Sequence, residues 1–164
     1  VRDLFALKER TDAALLAEVA EWDAAKDWAL DGQLSAPTWL AWQTPTTKAA
    51  AGRVVADAAF LRRHDDIAAL LAAGDLTCAH VTAMAKAALH HETEFDICKE
   101  SLVGSARQMN PTDFAAVMAG WAKAVDDRPP RQPGDRGFGI RKLMDGHAED
   151  MKAQAELTAQ LDSA

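Results

Sequence analysis

The sequence has no tyrosine, only two cysteines and no long apolar run, and each shortage removes a class of protein. Cys78 and Cys98 offer neither the spacing of a metal site nor enough thiols for a disulfide framework, so a reducing, cytoplasmic setting is expected. No segment approaches the roughly 18 to 20 apolar residues that span a bilayer, and no signal-peptide pattern opens the chain. A soluble protein with no membrane partner is expected. Cations are also in deficit, with 18 Lys and Arg against 25 Asp and Glu in 164 residues, and a net charge of −7 excludes a uniformly basic nucleic-acid surface. There is no glycine-rich phosphate loop and no nucleophile–base pair of recognisable spacing, so no catalytic residue is assigned and no cofactor is expected. The chain opens on Val1 instead of Met, and a boundary made by processing or expression is expected there, with the C-terminus cut as well.

What is present is alanine and helical periodicity. Hydrophobic residues make up 49%, much of it alanine, which favours packed helices over sheet and predicts an all-α multi-helix bundle. The bundle is expected over residues 1–127, followed by a linker over 128–137 and a C-terminal extension over 138–164. The organising stretch is 35–63. Ser35 as N-cap with Pro37 in the first turn predicts a short helix to Gln43, which Thr44-Pro45-Thr46 breaks. Thr46 or Thr47 can then cap a second helix that turns Val54, Val55, Ala58 and Leu61 inward and leaves Lys48, Arg53, Arg62 and Arg63 wet. Two helices joined by a tight turn are the outline of a helix-turn-helix, the motif that places its second helix in the major groove of DNA. Charge singles out the same region, since residues 44–63 carry a net +3 inside an acidic chain and 128–143 a net +4.

Around that stretch the periodicity predicts a helix over 2–30 with Leu4, Leu15, Val19, Trp22 and Ala29 at helical spacing and Gly32 as its terminator. Trp39 and Trp42, three apart, are expected to lie together and anchor the core rather than stack on bases. His64-Asp65-Asp66 starts a short helix that Gly74 stops, and Thr77 caps the next, with Val81, Met84, Ala85 and Ala88 inward. His90-His91-Glu92-Thr93-Glu94-Phe95-Asp96 reads as a polar helix end, because adjacent histidines point to different sides of a helix, so no metal is assigned. Asp96 begins a helix carrying Ile97, Leu102, Val103 and Ala106. Asn110-Pro111 starts the last one, with Phe114, Val117, Met118, Trp121 and Val125 inward, ending near Asp127. RPPRQPGDRG over 128–137 is a Pro/Gly/Arg-rich linker. Beyond it, Asp145-Gly146 predicts a short hairpin, and 151–161 reads equally well as helix.

The order of phrases LLAEVAEWDAAKDWALDGQLSAPTWLAWQT, LLAAGDLTCAHVTAMAKA and LVGSARQMNPTDFAAVMAGWA, then the Arg-rich linker and the Asp-Gly turn, resembles the actinobacterial "domain of unknown function 222" family. The marks are Ser35 with Trp39-Leu40-Ala41-Trp42, and Gly74-Asp75-Leu76-Thr77 with His80-Val81. Members of that family commonly precede an HNH endonuclease domain. The centre also resembles the helix-turn-helix of ParB-type partition proteins, with Gly74, Leu76, Thr77 and His80 matching its "G-x-(L/I)-(S/T)-x-x-H" start. The resemblance implies a DNA-binding or DNA-targeting module, with any nuclease metal and base lying downstream of Ala164. Family members often carry arginines where Ala49, Ala50, Ala51 and Gly52 stand here.

The expected DNA contacts are Thr46, Thr47 and Lys48 at the start of the second motif helix, with Arg53, Arg62 and Arg63 neutralising neighbouring phosphates. Double-stranded DNA and a second copy of the chain are the expected partners. The competing reading is a helical protein-interaction or dimerisation module without DNA affinity, since alanine-rich helices with five tryptophans also suit packing against a partner helix.

Overall fold

Helix α1 (Arg2–Ala25) ends earlier than periodicity predicts. Lys26 adopts a left-handed backbone, φ 58° and ψ 34°, and its N–H closes the helix on the carbonyls of Trp22 and Asp23. A single 3-10 turn, Asp27–Ala29, follows, and Gly32 lies beyond it with φ 73°. The reason is side-chain anchoring that no propensity records. The Trp28 indole donates to the Asp23 carboxylate at 3.0 Å, and the Trp39 indole donates to Asp31 at 2.6 Å, so the chain folds back on α1 instead of extending it.

The computed structural model describes residues 1–127, and among them the α-helices number seven, with no strand. After α1 come α2 (Ala36–Gln43), α3 (Lys48–Arg63), α4 (Asp65–Ala73), α5 (Cys78–Ala88), α6 (Glu92–Ala106) and α7 (Pro111–Asp126). This is an all-α multi-helix bundle. The linker, hairpin and C-terminal helix expected over 128–164 lie outside the described residues.

Helix α3 is the hub, packed by α1, α2, α4 and α5, while α7 closes against α5 and α6. Small residues let the neighbours approach: Ala51 and Ala58 on α3 and Ala36 on α2 are all buried. Beyond them an aromatic core ties distant elements together. Phe60 of α3 meets Phe95 of α6 edge-on at 5.4 Å, and Phe95 meets Trp121 of α7 at 6.1 Å. Fully buried side chains of this size contribute about 1.5–3 kcal/mol each, so this cluster outweighs any surface ion pair.

The helix junctions follow local chemistry. Thr47 accepts the Ala50 N–H at 3.1 Å, and Asn110 accepts the N–H groups of Thr112 and Asp113 at 3.0 Å. Gly74, at φ 83°, ends α4 in the left-handed conformation that a side chain disfavours. Ser35 occupies the N-cap position of α2, but its hydroxyl pairs with that of Thr38 at 2.9 Å rather than with a backbone N–H.

Several expected inward residues face out. Leu4, Leu15 and Ala29 are exposed, because α1 turns Leu16, Val19 and Ala20, and not Leu4 or Leu15, toward the helices packed on it. Val54, Val55, Ala85, Val117 and Val125 are half-buried at the edges of their stripes. Helix α6 begins at Glu92, ahead of the expected Asp96, and Ile97 lies on its exposed side.

Candidate nucleic-acid interface

The predicted motif residues occupy two helices joined by the four-residue connection Thr44–Thr47. Thr44 closes α2 by donating its hydroxyl to the Leu40 carbonyl at 2.6 Å, and Thr47 opens α3. Pro45 between them cannot continue a helix, so the local chemistry requires a turn here.

At 100° per residue, one arc of α3 holds Lys48, Ala49, Gly52, Arg53 and Ala56, none of them buried, and Arg63 beyond Phe60, which falls on the same arc and is buried against Phe95 of α6. The cations flank a strip of small residues, and space is open where a Cβ on Gly52 would stand. From Lys48 to Ala56 the exposed part of the arc is about 12 Å long at about 1.5 Å per residue. The positive end of the helix dipole lies at the Lys48 end. Thr46 is half-buried in the turn and Thr47 is exposed beside Lys48.

The six predicted contact residues are therefore not gathered at one point. Thr46, Thr47 and Lys48 stand together at the start of α3, and Arg53 follows on the same arc. Arg63 stands at the far end, where its guanidinium lies 3.6 Å from Glu92, both side chains half exposed. Arg62 leaves the arc altogether. It lines a groove between α1, α3 and α4 together with Glu21 and Asp65, since one residue's rotation turns it away from Arg63.

Trp42 corrects the expected tryptophan pair. Trp39 packs on Trp22 with ring centroids 4.8 Å apart, while Trp42 is 79% exposed near the end of α2, just ahead of the turn. Three residues are 300° of rotation, so the two rings point 60° apart, and only Trp39 reaches α1. A solvent-facing indole beside a basic helix start is a stacking surface that the sequence reading assigned to the core.

Two buried polar groups support the arc from behind. Asp57, on the inner side of α3, accepts the Thr82 hydroxyl at 2.6 Å and thereby ties α3 to α5. Burial pushes its carboxyl above the ordinary range, while Thr82 and then Arg53 pull it back. His64, between α3 and α4, packs its ring against Phe60 and Phe95, and burial lowers its pKa although Asp96 lies 3.8 Å away.

His80 and His91 hold elements of the fold together. His80 is buried; its Nδ1 accepts the Thr77 N–H at 3.1 Å and its Nε2–H donates to the Met109 carbonyl at 3.2 Å, which fixes the tautomer. His91 pairs with Asp126 at 3.1 Å. Among the described residues no group of three His, Cys, Asp or Glu is placed to hold a metal ion, and no helix is long and apolar enough to cross a membrane.

Compared with protein-family models, with curated proteins and with solved structures, the chain finds no match.

Proposed function

We propose that residues 35–63 act as a helix-turn-helix and that the chain is a DNA-binding or DNA-targeting module, the N-terminal part of an HNH endonuclease-like protein. The observation that carries this reading is the exposed arc of α3, where Lys48 and Arg53 border Ala49, Gly52 and Ala56, with Arg63 further along beyond the buried Phe60. Small side chains let a phosphodiester backbone come close to the helix, and the three cations then neutralise phosphates along it. Thr46 and Thr47 add hydroxyls at the helix start, and Trp42 adds an aromatic face next to them.

Alanine and glycine carry no side-chain donor or acceptor for a base edge. The binding proposed is thus to the backbone and indifferent to sequence, which suits a domain that holds duplex for a nuclease placed downstream. Three phosphate contacts give a log–log salt slope of roughly −2.7 at about −0.9 per contact.

Fluorescence anisotropy with a labelled duplex at low salt tests the reading. Binding is expected, with that shallow salt dependence, and is expected to weaken at least tenfold in the double variant Lys48→Ala/Arg53→Ala. Arg62→Ala, off the arc, is expected to bind as the unsubstituted chain does. Absence of duplex binding at low salt, or binding untouched by the double substitution, would overturn it.

A further inference from the structure

The N-terminal half of α1 is the least covered part of the described structure. Residues 1–8 are all exposed, and Leu4 and Phe5 are 70% and 65% exposed, with Leu7 and Leu15 near half. These side chains are not scattered. Leu4, Leu7, Thr11, Ala14 and Glu18 recur at alternating spacings of three and four, with Leu15 beside Thr11, so the three leucines share one stripe, the seam, with polar Thr11 and Glu18 in it, while Phe5 lies on the side of Val19 and Leu16. The seam lies on a different side from Leu16, Val19 and Ala20, the residues that α1 turns toward the core.

Next to the seam, α1 and α4 leave two adjoining grooves of about 470 and about 500 Å³, which share Arg10, Leu71 and Ala72. Alanines such as Ala13, Ala17 and Ala68 form much of their floor. Leucine knobs and a shallow alanine-lined groove thus sit side by side on one helix.

We propose that this face of α1 is a homodimer interface in which two copies pack α1 against α1 in antiparallel fashion about a two-fold axis near Thr11. Charge decides both the occupant and the direction. Residues 1–11 carry Arg2, Lys8 and Arg10 against Asp3 and Glu9, a net +1. Residues 12–25 carry Asp12, Glu18, Glu21 and Asp23 with no cation, a net −4. An antiparallel copy sets each basic half against an acidic half, whereas a parallel copy sets −4 against −4. With the axis at Thr11, Leu7 falls opposite Leu15 of the second copy and Leu4 level with Glu18 of the second copy. Each contact is made twice, as a closed two-fold interface requires.

The area fits this occupant. Leu4, Leu7 and Leu15 expose roughly 300 Å² between them, within the range of the largest apolar patch on an ordinary monomer, which often has a function. Two such patches, with the groove flanks and the charged margins, approach the low end of stable interfaces, about 1,200 Å² in total. The result is a dimer with dissociation in the micromolar range.

Sedimentation velocity of the full chain without DNA, from about 5 to about 200 µM, reads the equilibrium directly, with dimer expected to grow in as the concentration passes through the micromolar range. Leu7→Glu and Leu15→Glu should each weaken it at least tenfold while leaving the melting curve unchanged, because both residues are already half exposed. Under mild oxidation, Thr11→Cys should cross-link rapidly over the background of the unsubstituted chain, because its two copies meet at the axis. Leu4→Cys should not, since antiparallel packing holds its two copies about 21 Å apart, too far for a disulfide. A chain monomeric at all concentrations would overturn the proposal, as would a dimer indifferent to both glutamates. So would Leu4→Cys cross-linking as fast as Thr11→Cys, the mark of parallel packing. No DNA is present, so this outcome is independent of the duplex titration.

Discussion

The carboxylate of Glu9 on α1 accepts the backbone N–H of Cys78, the first residue of α5, at 3.0 Å across 69 positions of sequence. A helix start has N–H groups without an intrahelical acceptor, and a carboxylate there satisfies one of them and complements the dipole. The same placement governs the thiol. Burial first, and then the charges of Glu9 and Asp12, push the Cys78 thiol up to about 11.

Cys78 is accordingly expected to resist alkylation near neutral pH, since the thiolate is the reacting form. Glu9→Gln should accelerate labelling severalfold, without reaching the rate of an exposed thiol, because burial is the larger cause. The same substitution should cost about 0.5–1 kcal/mol in urea unfolding. Mass spectrometry of iodoacetamide adducts over time gives the labelling rate, and an unchanged rate would separate the thiol's inertness from Glu9.

Lys26 holds a left-handed backbone at φ 58°, a conformation that costs an ordinary L-residue about 1 kcal/mol. Lys26→Gly relieves that strain at the close of α1. A gain of about 0.5–1 kcal/mol is expected, seen as a higher urea midpoint at unchanged slope.

His80 caps α5 from within and reaches the loop ahead of α7. Removing it in His80→Ala abandons the Thr77 N–H, the Met109 carbonyl and the contact with Phe114, whose ring lies 5.4 Å away. The expected loss is about 2–4 kcal/mol in chemical denaturation, the sum of a lost cap, an unsatisfied carbonyl and a cavity. A loss under about 0.5 kcal/mol, the level of an ordinary surface substitution, would show that the ring is not structural.

Acid should destabilise the fold through His64. Its folded pKa lies below the ordinary 6.5, so the neutral form is the one the fold favours. That contribution is complete above pH 6.5 and is lost as pH falls through the lower folded value. His64→Phe, which keeps a ring against Phe60 and Phe95, should flatten the acid limb of melting temperature against pH.

Asp57 works in the opposite sense. Its carboxyl is raised above 3.8, so the protonated form is favoured on folding; stability from this group is complete below pH 3.8 and lost as pH rises through the raised value. Asp57→Asn keeps an acceptor for Thr82 and removes the buried charge, so melting at neutral pH should rise and the alkaline-side loss disappear. Thr82→Val, which strips the carboxylate of its donor, should instead cost about 1–3 kcal/mol.

The sequence by itself determined where most helices start and stop, because those signals act within a few residues. Thr47, Thr77, Asn110-Pro111 and Gly74 each satisfy or release backbone groups next to themselves, and so could be read without knowing any neighbour. Periodicity likewise established that the chain is a helical bundle. Tertiary structure decided which apolar face was covered and by what. Leu4 and Leu15 keep helical spacing yet stay exposed, because no described helix lies over that side of α1. Trp39 finds Trp22 while Trp42 does not, and Arg62 parts from Arg63 by a single residue's rotation. The Glu9–Cys78 bond had no local signal. Spacing specifies an angle around one helix axis, and only the packing of several axes decides what stands at that angle.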